Sequence, residues 1–324
     1  MSKTLVSVRN LTKQFTSARG GVKRRVTAVS HVNFDIVAGE TLALVGESGC
    51  GKTTLGRMLA LLLEPTSGEL SIHGRNVVGL RRAQLKPLRR HVQMVFQDPV
   101  SSLNPRHTVE AMLTEPMQNF GLYSPQERRE KAAELLEAVG LAPDDLKKYP
   151  HEFSGGQRQR ITVARALVLH PEFVVADEPV SALDVSVQSQ ILNLLVDLRE
   201  TFGLTYLFIS HDLAVVHHLA DRVAVMYLGK IVEIAPKDVL FANPVHPYTQ
   251  ALLRSVPSIT HSKGRIGRIL QGDPPSPLSP PSGCHFHPRC PHAVDQCRSD
   301  PPELSNHKGD AQHRVACHLQ DTLA

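Results

Sequence analysis

Short apolar runs broken by glycine, proline and charged turns set the pattern of the first hundred residues. Leu5 to Val8, Ala28 to Ile36 and Thr41 to Val45 have the alternating, β-branched character of strands. Val37-Ala38-Gly39-Glu40 reads as a turn. Gly46 to Thr54 leads into an apolar-rich helix expected to run through Leu63, where Pro65 and Gly68 close it. Glu69 to His73 and His91 to Phe96 return to strand character. From Asp98 to Leu169 the period becomes helical, most clearly over Pro125 to Val139, where Ala132, Leu135, Leu136 and Val139 form a stripe. Strand patterns resume at Phe173 to Ala176, Thr205 to Ser210 and Arg222 to Tyr227, with helical stretches between them. That alternation predicts an α/β fold around a parallel sheet.

The pattern changes near residue 257. Gln271 to Gly283 (QGDPPSPLSPPSG) holds too much proline for a helix or a central strand, so it reads as a linker or rigid arm before a small extension. No stretch nears the roughly 18 apolar residues of a membrane span, and MSKTLVSVRN lacks the apolar core of a signal peptide. The expectation is a cytosolic chain that reaches a membrane only through partners.

The 324 residues carry a net charge of +5. Two basic clusters, Arg19 to Arg25 and the set Arg81, Arg82, Lys86, Arg89 and Arg90, read as a loop and a solvated face. No aromatic residues interleave with them as a single-strand platform would require. Four of the five cysteines crowd the C-terminus, which in a reducing compartment points to metal before disulfides.

Gly46 to Thr53 (GESGCGKT) fits G-x-x-x-x-G-K-[ST] between a strand and a helix, the context this phosphate-binding loop needs. Its backbone N–H groups and the helix N-terminus suit phosphate oxygens, with Lys52 on the β- and γ-phosphates and Thr53 on Mg²⁺. The expected nucleotide contacts are Gly46, Glu47, Ser48, Gly49, Cys50, Gly51, Lys52, Thr53 and Thr54. Phe173 to Glu178 (FVVADE) ends a strand in two carboxylates. Asp177 suits Mg²⁺ and Glu178 suits the attacking water, although two such acids would also serve to cap the next segment.

Ser154 to Arg158 (SGGQR), with Arg160 and Arg165 beyond it, resembles the signature of the ABC ATPase family, and the order of the other motifs agrees. Gln97 follows a strand, Ser181 to Asp184 (SALD) follows the carboxylates, and His211 follows another strand. One departure is Phe153 where many members have Leu. The resemblance implies a RecA-like P-loop core with an antiparallel β subdomain and an inserted helical subdomain. It also implies roles: Gln97 on Mg²⁺ and nucleotide, His211 on the γ-phosphate, and Glu178 as the catalytic carboxylate. Ser154, Gly155, Gly156 and Gln157 would complete the site of a facing protomer. Asp184 would couple the two sites, and Phe15 would stack on adenine unless it packs in the core.

Three further segments resemble ATPase subunits of dipeptide and oligopeptide permeases: DPVSSLNPRHTV (98–109), NPVHPYT (243–249) and GDPPSPLSPPSGCHFHPRC (272–290). The C-terminal pattern is most like the F-type subunit of the dipeptide permease. The implied division is an ATPase domain over 1–257, with core 1–97 and 170–257 and helical subdomain 98–169. Residues 258–324 would form an extension with a proline-rich arm and a four-cysteine cluster. The implied partners are a second ATPase subunit, a paralogue by preference, two transmembrane permease subunits and, through them, a periplasmic peptide-binding protein. The implied place is the cytoplasmic face of the inner membrane, held peripherally. No nucleic acid is expected, and the region after Gln97 would receive a helix of the membrane subunits. The alternatives are an ATPase acting on nucleic acid, an importer of nickel, haem or another small solute, and a catalytically silent regulator.

Cys284, Cys290, Cys297 and Cys317 are separated by five, six and nineteen residues. Four thiolates fit tetrahedral zinc or a [4Fe–4S] cluster. The absence of a tight C-x₂-C pair leans towards iron–sulfur, and the family resemblance points the same way. Zinc, with His285, His287, His292, His313 and His318 as other ligands, and four unligated thiols both stay open.

Overall fold

The computed structural model describes residues 3–19, 22–254 and 272–322. The expected boundary at 257–258 and the middle of the basic run Arg19 to Arg25 lie outside the described residues.

In chain order the elements begin with β1 (Thr4–Arg19), β2 (Val22–Val37), β3 (Thr41–Val45), α1 (Lys52–Leu59), β4 (Ser67–Ile72) and β5 (Arg75–Asn76). There follow α2 (Arg82–His91), β6 (Val92–Val95), α3 (Pro99–Ser102), α4 (Val109–Asn119), α5 (Pro125–Ala138) and α6 (Gly155–Leu167). Next come β7 (Phe173–Asp177), α7 (Val185–Phe202), β8 (Thr205–Ile209), α8 (Leu213–Leu219), β9 (Arg222–Tyr227) and β10 (Lys230–Pro236). The chain closes with α9 (Lys237–Ala242), α10 (Pro247–Arg254), α11 (Gln296–Ser299), β11 (Ser305–His307) and β12 (Asp310–Val315). They fall into two compact units. One comprises Met1–Met58, Leu63–Gly79 and Ile209–Ala324; the other comprises Leu59–Leu62 and Leu80–Phe208.

In the first unit, β2-β1-β4-β5 form an antiparallel sheet. A second set runs β11-β12-β10-β9-β3, antiparallel except where β3 pairs in parallel with β9 through Leu42–Arg222 to Val45–Val225. All five β3 residues are buried, which explains the apolar run Leu42–Val45 behind Thr41. The hydrophobic cluster over this sheet continues from Val223, Val225 and Tyr227 to Tyr248 and Phe286, with Cys284 and Cys290 against its edge. The C-terminal elements therefore share a core with β9 and β10 rather than forming a separate one.

β10 escaped the sequence reading because a carboxylate, Glu233, interrupts it. Glu233 is fully buried and completely engaged. It accepts hydrogen bonds from the Val245 and His246 backbone N–H groups at 2.9 and 3.0 Å and pairs with His313 Nε2 at 2.8 Å. One buried acid thus ties the NPVHPYT segment and β12 to β10, and such burial is tolerable only with this set of partners.

The second unit carries β8-β7-β6, with β6 and β7 parallel, and the helices α2 to α7. Within it α5 starts from a capping box: the Ser124 hydroxyl accepts from Glu127 N at 3.3 Å, and the Glu127 carboxylate accepts from Ser124 N at 2.7 Å. Ala132, Leu135 and Leu136 form its buried stripe as the sequence period predicts. The basic residues around 81–90 lie on or beside α2, none of whose residues is buried. Arg89 is the exception in function, donating to the Leu61 carbonyl at 2.9 Å. α1 stops at Leu59, four residues before the expected end, and Leu61 takes a left-handed conformation with φ 57°.

Candidate functional site

The phosphate loop leaves the end of β3 and enters α1 inside the first unit. Two of its glycines are forced by neighbours. A Cβ on Gly46 would meet the Met226 carbonyl oxygen, and one on Gly51, at φ +112°, would meet the Ala28 carbonyl oxygen. Gly229 N donates to Cys50 O at 2.8 Å, so the β9–β10 turn also braces the loop. Lys52 is 6% exposed and donates to the loop's own carbonyls, Gly46 O at 2.8 Å and Glu47 O at 3.1 Å. Burial raises the Cys50 thiol above its ordinary range, so this cysteine is a packed neutral thiol and not a nucleophile.

The segment 243–249 and the turn before Cys290 reach the same loop, which the sequence reading did not foresee. The Tyr248 hydroxyl, on a fully buried ring, accepts from Glu47 N at 2.9 Å. Arg289 forms a bidentate pair with the Glu47 carboxylate, at 2.8 and 3.0 Å. That hydrogen bonding holds Arg289 above its ordinary pKa and so fully charged. His211 precedes α8 and is exposed; Asp212 next to it caps that helix by accepting from Ala214 N at 2.8 Å. Phe15 stands on β1 with 42% of its surface exposed and Lys13 Nζ 5.3 Å from its ring centre, so it lies outside the core.

In the second unit β7 is buried along its length and delivers Asp177 at 3% exposure. Glu178 follows with φ 46°, a conformation a β-strand residue would not take, which turns the second carboxylate out of the strand. Gln97 Nε2 donates to Glu178 Oε2 at 2.9 Å, so two expected site residues 81 apart in sequence meet. Ser154 caps α6 in a reciprocal box with Gln157: Ser154 Oγ accepts from Gln157 N at 3.3 Å, and Gln157 Oε1 accepts from Ser154 N at 3.0 Å. A Cβ on Gly155 would stand 3.6 Å from Leu183, and one on Gly156 would collide with Val187. The glycine pair therefore lies against the SALD segment and the start of α7. Asp184 and Val185 there are exposed.

Cys284, Cys290, Cys297 and Cys317 line one narrow cavity, joined by His246, His287, His292 and His318. Burial raises the thiols of Cys284 and Cys290, and that of Cys317 to about 11, each further raised by its neighbours. Several of the imidazoles are committed elsewhere. His287 Nδ1 lies 3.0 Å from the Cys284 carbonyl, His318 Nε2 lies 2.9 Å from the Asp300 carbonyl, and His246 Nδ1 accepts from Tyr248 N at 3.1 Å. Burial lowers the His246 pKa to about 4, consistent with a neutral acceptor.

With the loop, the carboxylates and the signature helix in view, the comparisons with known proteins agree. Residues 29–181 match the ABC transporter family, and residues 232–297 match the oligopeptide/dipeptide transporter C-terminal region. A probable peptide ABC transporter ATP-binding protein, y4tS of Sinorhizobium fredii, is 53% identical over 100% of this chain and 92% of its own length. The chain belongs to the ABC transporter ATP-binding family. The di/tripeptide transport ATP-binding protein DppF of Pseudomonas aeruginosa is 51% identical over 98% of each chain. Among solved structures, the dimeric post-hydrolysis state of the ATP-binding cassette MJ0796, bound to ADP and Pi, superposes with a TM-score of 0.65 at 31% identity. It covers 72% of this chain and 98% of its own. The fold is thus the ABC cassette, and no helix among the described residues is long and apolar enough to cross a membrane. Glu233, Tyr248 and Arg289 are the residues of this ABC ATPase that sequence reasoning missed. Tyr248 and Arg289 lie within the quoted segments NPVHPYT and HFHPRC, but nothing local says what they touch.

Proposed function

We propose that this chain is the ATP-hydrolysing motor subunit of an importer for dipeptides and oligopeptides. The single observation that carries this is the coexistence of both family matches in one chain, over 29–181 and 232–297. The full-length likeness to peptide-transport ATP-binding proteins supports it.

In this reading the loop from Gly46 to Thr54 binds the triphosphate, with Lys52 exchanging loop carbonyls for phosphate oxygens. Thr53, Asp177 and Gln97 are the hard oxygen donors that Mg²⁺ takes, and the ion would neutralise phosphate charge. Glu178, oriented by Gln97, polarises the attacking water, and His211 holds the γ-phosphate. Phe15 offers an exposed ring to adenine. Ser154, Gly155, Gly156 and Gln157, at the N-terminus of α6, serve the nucleotide of a second ATPase subunit, a paralogue by preference, and Asp184 couples the two sites. Closure of the pair drives two transmembrane subunits that receive peptide from a periplasmic binding protein. The chain then works at the cytoplasmic face of the inner membrane. ATP biases the closed state because only that state grips nucleotide from both sides. Residues 258–324 are proposed as an extension specific to this transporter class.

The four thiols suit a [4Fe–4S] cluster. Metal binding displaces thiol protons, so a cluster in this cavity would be held by Cys284, Cys290, Cys297 and Cys317 as thiolates. Tetrahedral zinc on the same four sulfurs is the alternative occupant.

The test is uptake of labelled dipeptide by cells lacking the gene and complemented with the wild-type chain or Glu178→Gln. Wild type restores uptake and Glu178→Gln does not. Normal peptide uptake without the chain, with loss of uptake of another solute, would overturn the peptide assignment.

A further inference from the structure

A carboxylate is an odd tenant for a loop that must hold a polyanion. Glu47 is the second residue of the phosphate loop, and an uncompensated charge there would oppose the incoming phosphates. The structure compensates it from far along the chain. Arg289 Nη1 donates to Glu47 Oε2 at 2.8 Å and Nη2 to Oε1 at 3.0 Å, across 242 residues of sequence. The arginine side chain is 6% exposed and the glutamate side chain 25%. A further hydrogen bond runs from Nη1 to the Tyr227 hydroxyl at 3.4 Å, and the guanidinium lies 6.0 Å from the centre of that ring. The fork is thus fixed on the aromatic side and on the carboxylate side together.

Arg289 is itself placed by the thiol site. It ends the short 3₁₀ turn His287–Arg289. The Cys284 carbonyl accepts from His287 N at 3.0 Å, and Cys290 N donates to the His287 carbonyl at 3.3 Å. Phe286, 2% exposed, packs against Tyr227 and Tyr248 with ring centres 5.3 and 5.4 Å apart. Two of the four cysteines therefore bracket the turn that aims the guanidinium at the phosphate loop.

The geometry points to Arg289 as a positioning residue for nucleotide binding: it neutralises Glu47 and holds the phosphate loop from the four-cysteine site, so that filling of that site sets the affinity for ATP. This inference rests on the ATPase reading and on the thiols holding a metal group, and it adds a control that neither requires. A merely structural staple would behave differently. Breaking a staple from either side harms the loop, and breaking both sides does not help. Neutralisation predicts that removing Glu47's charge relieves the loss of Arg289.

The experiment is titration of the purified full chain with a fluorescent ATP analogue at fixed ionic strength, with thermal melting to confirm folding. Arg289→Met is expected to raise Kd about tenfold, because the carboxylate is left facing the phosphates. Adding Glu47→Gln to Arg289→Met is expected to return Kd to within about threefold of wild type. Arg289→Lys, which keeps the charge but loses the fork, should fall between, and it decides the matter should Arg289→Met not fold. Removing the metal with ferricyanide and EDTA, followed by reduction, should weaken binding in wild type and add nothing in Arg289→Met. Binding by Arg289→Met within about twofold of wild type, or no relief from Glu47→Gln, overturns the inference while the ATPase reading stands. A wild-type chain that binds no ATP overturns both.

Discussion

At the scale of single residues, the chemistry divides into what local spacing reveals and what only folding brings together. The loop Gly46–Thr53 was legible because its glycines and its one lysine all lie within eight consecutive residues. The contact between Gln97 and Glu178 was expected only as two roles, and the 2.9 Å hydrogen bond that joins them needs β6 and β7 side by side. Arg289 could not be assigned at all, since no periodicity pairs it with Glu47. Glu178 is the residue whose role has the clearest consequence. Glu178→Gln keeps the hydrogen-bonding shape but cannot polarise water, so ATP hydrolysis should fall by at least about a hundredfold while ATP binding persists. Steady-state phosphate release measured beside nucleotide binding checks this, and normal turnover would remove Glu178 from its role.

At the scale of elements, strands and helices with uniform faces were read well, and those stabilised by distant partners were not. β3, β7 and β9 are apolar apart from one polar end residue each, Thr41, Asp177 and Arg222, and matched expectation to within a residue. β10 did not, because Glu233 looks like a strand breaker until Val245, His246 and His313 are seen to satisfy it. The early end of α1 at Leu59 was likewise hidden, since Leu61 is a good helix former that here turns left-handed. The signature helix α6 gives the prediction at this level. Its reciprocal cap means that Ser154→Ala removes an acceptor from a helix N-terminus, at a cost of about 1 kcal/mol. A lowered melting temperature of the isolated chain would show that cost. Loss of ATP hydrolysis beyond that explained by stability, seen only when a second ATPase subunit is present, would mark the additional role at the facing site. An unchanged melting temperature would contradict the capping account.

At the scale of the whole molecule, the sequence indicated a cassette and an appendage, and the physical relation between them is closer than a proline-rich linker suggests. Phe286 sits in the same hydrophobic cluster as β9, and β12 extends the β9–β10 sheet. The extension is therefore part of the structure that holds the phosphate loop. Anaerobically purified chain should be brown and contain close to four iron and four labile sulfide atoms, and Cys290→Ser with Cys317→Ser should abolish both. Zinc without iron would contradict the cluster. No described helix is long and apolar enough to cross a membrane. Whether this ATPase drives a membrane importer is decided by affinity purification of the chain from detergent-solubilised native membranes. Two multi-span proteins and a second ATPase should be recovered with it in equal amounts. Recovery with nucleic acid or ribosomes and no membrane protein would contradict the importer role.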